Sequence, residues 1–116
     1  MGDNKRKHER VETLNLLSYV TIDSDGKEWN QGMGRTLNIS ESGLQLETHE
    51  PIDTKYTLLI SIGIEDELIE IKGKVAYTNR GEGKMFEAGI EFVKVAPDAL
   101  VILKKYISEF NKQYRA

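Results

Sequence analysis

Ile69-Glu70-Ile71-Lys72-Gly73-Lys74-Val75-Ala76-Tyr77 alternates apolar and polar side chains with a period of two. That is the spacing of a half-buried β-strand, because successive side chains of a strand point to opposite faces. Ile69, Ile71, Val75 and Tyr77 fall on one face, with Glu70, Lys72 and Lys74 on the other. Just upstream, residues 56–62 form a nearly continuous apolar run, read as a strand buried on both faces. Downstream, the glycine-rich residues 79–84 read as a hairpin loop, and Phe86, Ala88, Ile90 and Phe92 give the last strand.

The same period extends towards the N-terminus. Leu14, Leu16, Val20 and Ile22 share one face of a first strand, which stops at the turn signal Ser24-Asp25-Gly26. A second strand is expected over residues 34–39, with Leu37 and Ile39 inward, and Leu44 and Leu46 open a third after Gly43. Only the tail changes period. Pro97 and Asp98 are a helix start signal, and Leu100, Leu103, Ile107, Phe110 and Tyr114 recur at spacings of three and four. One amphipathic helix over residues 97–114 is expected, either as a lid on one end of the sheet or as a partner-docking element. Six strands and one helix without βαβ alternation predict a mostly β fold: a six-stranded antiparallel, Greek-key-like β-barrel with a C-terminal α-helix.

At 116 residues the chain has room for one domain. Residues 14–116 are expected to form it, preceded by a flexible basic arm over residues 1–13 that lacks apolar periodicity. Cysteine is absent, which excludes disulfides and thiolate zinc sites and fits a reducing cytosol. No apolar run reaches the length of a membrane span, and the polar start is no secretory signal, so a cytoplasmic protein without membrane insertion is expected. The net charge of −3 argues against coating nucleic acid by bulk electrostatics. Positive charge is instead local: Lys5, Arg6, Lys7 and Arg10 lie within six residues, the pattern of a confined anion site.

Signatures of catalysis are thin, and no enzyme is expected. His8 and His49 have no neighbours at metal-ligand spacing. Gly81-Glu82-Gly83-Lys84 lacks the glycine spacing and the Ser or Thr of a phosphate loop and reads as a hairpin turn. Glu65, Asp66, Glu67 and Glu70 read as a solvated turn and strand face, and no nucleophile, base and oxyanion hole assemble.

Two short motifs stand out. Arg6-Lys7-His8-Glu9-Arg10 places two arginines four apart ahead of the first strand, and Asn38-Ile39-Ser40-Glu41-Ser42-Gly43 falls where one strand turns into the next. In this order and on this strand pattern they resemble the PilZ domain family, whose signature is RxxxR followed about thirty residues later by [D/N]xSxxG. Lys72-Gly73-Lys74-Val75, Gly89-Ile90-Glu91-Phe92 and the terminal helix are also similar to the later part of that family. The resemblance implies a bacterial receptor for cyclic di-GMP (c-di-GMP), with no cofactor. Arg6, Arg10, Asn38, Ser40 and Gly43 would be the ligand-binding residues, with Lys5 a further contact bearing on whether one ligand molecule or a stacked pair is bound.

Residue chemistry fits such a ligand. Guanidinium groups fork onto phosphate oxygens or guanine O6 and N7, and stack on a purine face. By the period-two rule Asn38 and Ser40 share a strand face, and Gly43 supplies either a positive φ or close approach of the ligand. The asparagine amide lacks the charged pair of acceptors that the aspartate of the motif would offer guanine. Three readings follow. The first is an adaptor whose arm orders on ligand binding and which signals to an unidentified effector protein in motility, exopolysaccharide (biofilm) or transcriptional control. The alternatives are a PilZ-like protein-interaction module without ligand, and a barrel for single-stranded nucleic acid. Dispersed aromatics and negative charge count against the last.

Overall fold

The computed structural model describes the backbone of residues 11–12, 15–64 and 66–115 and the side chains of residues 15–64 and 66–109. Among the described residues seven strands precede one helix: β1 (Val11–Glu12), β2 (Leu16–Ile22), β3 (Glu28–Ile39), β4 (Gly43–Thr48), β5 (Thr57–Ile64), β6 (Glu67–Arg80), β7 (Phe86–Val95) and α1 (Pro97–Arg115). All pairings are antiparallel, in the order β1-β3-β2-β5-β6-β7-β4, and β3 also pairs with β4. That last pairing closes six strands into a barrel, with β1 continuing the line of β2 along β3. Closure removes the unpaired edges that an open sheet of this size would expose.

The barrel interior is filled by alternate residues of β2 and of β4 to β7, together with Thr36 and Ile39 of β3. Leu17, Ile39, Leu44, Leu46, Leu58, Ile60, Ile62, Ile64, Ile71 and Val75 are each almost completely buried. Helix α1 caps one end, burying Ala99, Leu103 and Ile107, with Ile102 and Tyr106 packed at the margin. Asp98 Oδ1 accepts from the Ala99 N–H at 2.9 Å in the first turn, as an acidic residue at a helix start should. Leu103 lies on the predicted stripe, Leu100 is half-buried, and the side chains of Phe110 and Tyr114 lie outside the described residues.

Several face assignments differ from the sequence reading, each for a physical reason. On β2 the inward residues are Leu17, Tyr19 and Thr21, whereas Leu16 is 69% exposed. Adjacent leucines left the parity open, and pairing with β5 decides it: Leu17 sits opposite Ile62 and Tyr19 opposite Ile60. Leu14 lies outside the described residues. Strand β5 is buried on one face only, with Leu59 at 41% exposure, because no described residue covers the outer wall at that point. Strand β3 starts at Glu28, six residues earlier than expected, since its polar first half pairs with β2 beyond the core.

Two bulges account for the rest. Thr36 faces Leu46 while Asn38 faces Gln45, so Leu37 is an extra residue on β3, half-buried and not inward as expected. Thr36 and Ile39, three apart, are then both buried. Val75 faces Ile90 while Tyr77 faces Gly89, making Ala76 extra on β6 and turning Tyr77 outward at 45% exposure. An extra residue reverses the alternation of faces beyond it.

Candidate functional site

The Asn38–Gly43 motif forms the β3–β4 turn at the end of the barrel that α1 covers. Ser40 lies beyond the last residue of β3 and is 1% exposed, so it does not share a strand face with Asn38. Its hydroxyl organises the turn: Oγ accepts from the N–H groups of Ser42 and Gly43 and donates to Gly43 O, each at 3.2 Å. The Ser40 N–H also donates to Gly43 O at 2.8 Å. The Phe92 N–H donates to Ser42 O at 2.8 Å, which docks the turn on β7. Short hydroxyl side chains favour this kind of local turn bonding.

Gly43 is not in the left-handed region; among the described residues the positive-φ glycines are Gly26 and Gly83. It is required for a different reason. A Cβ there would collide with the backbone carbonyl oxygen of Ile90, so the close approach is that of β7. Lys104 Nζ of α1 lies 3.9 Å from Glu41 Oε1, linking the turn to the helix.

Asn38 projects on the outer wall. Its Nδ2 donates to Oε1 of its cross-strand partner Gln45 at 2.7 Å, and Gln45 Nε2 donates to Glu87 Oε1 at 2.6 Å. Two rungs further along the β3–β4 ladder, Arg35 Nε donates to Glu47 Oε1 at 2.6 Å. The sequence reading missed this polar row. With Leu37 and Ile39 both inward, Arg35 would also point inward; the bulge at Leu37 puts it outside.

Lys5, Arg6 and Arg10 lie outside the described residues. The strand that follows them is placed, however: Val11 pairs with Ile39 and Glu12 with Asn38. The residue after Arg10 is thereby bonded beside the residue before Ser40. At the junction of β1 and β2, the Thr36 N–H donates to Asn15 O at 2.9 Å, Asn15 Nδ2 donates to Gly63 O at 3.0 Å, and Tyr106 OH donates to Asn15 Oδ1 at 3.2 Å. This end of the barrel is tied to β3, β5 and α1 together.

Among the described residues no group of three or more His, Cys, Asp or Glu side chains is arranged to hold a metal ion, and no helix is long and apolar enough to cross a membrane. His49 is exposed on the outer wall after β4, and Gly81–Met85 closes the β6–β7 hairpin with Gly83 at φ 60°.

No curated protein matches the sequence. Solved structures match the fold. The chain is similar to the inhibitor of motility MotI/DgrA of Bacillus subtilis, with TM-score 0.74 and 15% identity over 96% of this chain and 54% of that one. It is similar to the PilZ domain with c-di-GMP of YcgR from Escherichia coli, with TM-score 0.66 and 12% identity over 96% and 95%. The MrkH–c-di-GMP complex of K. pneumonia gives TM-score 0.72 and 14% identity over 96% and 54%. The chain thus spans about half the length of MotI and of MrkH. The family model of the PilZ domain matches residues 4–109, which take in both motifs and all but the end of α1. A closed barrel whose strand order brings the chain after RxxxR against NxSxxG is the arrangement these residues specify, and the chain belongs to the PilZ domain family.

Proposed function

We propose that this chain is a c-di-GMP receptor that passes ligand occupancy to a partner protein. The observation that carries the reading is the β1–β3 pairing, which leads the chain from Arg10 directly to the Asn38–Gly43 turn. Arg6 and Arg10, with Lys5 beside them, supply guanidinium and ammonium groups for phosphate and guanine. Asn38 supplies an amide on the outer wall, and Ser40 and Gly43 hold the turn against β7 so that its backbone can meet the ligand. The complexes of YcgR and MrkH with c-di-GMP support the choice of ligand. The proposed roles are those of a binding module and not of an enzyme, and a receptor for a nucleotide second messenger fits a cytoplasmic protein.

Residues 1–13 act as the responsive arm in this reading. Val11 and Glu12 anchor it to β3, and the four basic side chains before them gather around the ligand phosphates. Ordering of that segment is the change an effector reads, its entropic cost being drawn from the gross binding energy. Calorimetric titration with c-di-GMP, with cyclic di-AMP and GTP as controls, tests the reading. Saturable binding much tighter for c-di-GMP than for either control is expected, and affinity no greater than theirs would overturn it.

A further inference from the structure

The outer wall carries a groove of about 390 Å³ that none of the motif residues line. Leu16 and Met33, at 69% and 66% exposure, line it with Met85 of the β6–β7 hairpin, and Arg35, Glu47 and His49 complete it. A volume of this size, apolar with a few convergent polar groups, is that of a small-molecule subsite. We infer that the groove is the guanine-reading subsite of this domain, with Arg35 as its specificity-determining residue. The inference rests on the c-di-GMP reading above and adds to it a base contact that neither motif contains.

Arg35 is built for the task. Glu47 is 7% exposed in its side chain, while Arg35 is 48% exposed. A carboxylate buried to that extent requires a charged partner and fixes the guanidinium that satisfies it. It is Nε that donates to Glu47, at 2.6 Å, and the terminal nitrogens of Arg35 make no hydrogen bond among the described residues. The fork is therefore oriented from behind and open in front. Guanine presents two acceptors, O6 and N7, to such a fork; adenine presents N7 beside an amino donor and is refused. The thioethers of Met33 and Met85 are polarisable and adaptable surfaces for a flat ring.

Position agrees with chemistry. Arg35 and Asn38 lie on the outer face of β3, and three residues of strand separate them by about 10 Å. A dinucleotide held at the Asn38–Gly43 turn by one half reaches the groove with the other. Asn38 replaces the carboxylate that the motif allows there, and Arg35 supplies a charge-assisted guanine contact in compensation.

The test compares dissociation constants for c-di-GMP, by calorimetry, and for cyclic di-AMP, by competition, in the whole chain and its variants. Arg35→Lys keeps a positive charge for Glu47 but loses the fork, so it should fold, with an unchanged melting temperature. The ratio of the two constants should fall about tenfold or more, through weaker c-di-GMP binding with cyclic di-AMP unaffected. Met33→Asp, at an exposed position, should weaken c-di-GMP as well by lining the groove with charge. A purely structural Arg35–Glu47 pair would change the melting temperature and leave the ratio alone. An unchanged ratio in folded Arg35→Lys, while Arg10→Ala still weakens c-di-GMP, overturns the subsite and leaves the proposed function standing. A wild-type chain without measurable c-di-GMP affinity, or an Arg10→Ala variant that binds as wild type does, overturns both.

Discussion

Val11 pairs with Ile39 across the β1–β3 ladder, so the first placed residue after the RxxxR motif lies beside the core residue inside the NxSxxG motif. Ile39 is 1% exposed and anchors the ladder in the barrel. The two motifs, some thirty residues apart in sequence, are joined by the pairing of the two residues that follow RxxxR with Ile39 and Asn38 of NxSxxG.

Arg6→Ala and Arg10→Ala should each weaken c-di-GMP binding with little change in melting temperature. Both positions lie outside the periodic apolar pattern of the sequence, so their loss is expected to act on ligand contacts. Charge-assisted contacts contribute about 1.5–3 kcal/mol each, or about one to two decades in affinity. Calorimetry with parallel thermal melts checks this, and lysine at either position should restore affinity only in part.

Ser40→Ala should lower stability as well as binding. Its buried hydroxyl accepts from two backbone N–H groups and donates to a carbonyl, and leaving such groups unpaired costs about 1–3 kcal/mol. Gly43→Val should be more damaging, because its side chain would meet the Ile90 carbonyl in a paired strand. Asn38→Ala, on the outer wall, should weaken ligand with a smaller effect on unfolding. Urea denaturation of the three variants separates these outcomes.

Trp29→Phe should reveal the contribution of Asp23 to acid stability. The Trp29 indole N–H donates to Asp23 Oδ2 at 2.7 Å, and with the Lys27 backbone N–H it holds the carboxyl below its ordinary range. A depressed carboxylate stabilises the fold above its unfolded pKa, and that contribution is lost as pH falls through the lower folded value. The variant should therefore melt below wild type at neutral pH, and the gap should close on acidification. Melting curves from neutral to strongly acidic pH read it directly.

Leu103→Ala should destabilise the domain by about 2–5 kcal/mol, since it empties a fully buried site beneath the helix. Val101→Ala, two residues away and 66% exposed, should be nearly silent. Equal effects at the two positions would show that α1 does not close the barrel through this face.

Amide exchange should show protection rising in residues 4–10 when c-di-GMP is added, with residues 69–75 of β6 unchanged. Whichever of the Val11 and Glu12 amides points at β3 should exchange slowly before ligand is present, because antiparallel pairing bonds one of two successive N–H groups across the ladder. Full protection of residues 4–10 without ligand would remove the arm as the switch.

Sequence alone determined the class of this protein. Period-two alternation at Ile69, Ile71 and Val75 and at Ala88 and Ile90 demands a two-faced sheet, and all five residues are buried. The change of period after Pro97 demands a helix, and RxxxR with NxSxxG names the family, because these are local properties of residue type and spacing. What only the tertiary structure decided is which side of the wall each residue occupies beyond a bulge. The extra residues Leu37 and Ala76 have no compositional mark; they exist because paired strands of a closing barrel must match in length and curvature. One put Arg35 on the outer wall against Glu47, and the other turned Tyr77 out over Gly89. The same holds for Ser40 and Gly43. Their identities were legible as a motif, but their work, a buried hydroxyl hub and a clearance for the Ile90 carbonyl, depends on β7, which joins the turn only when the barrel closes.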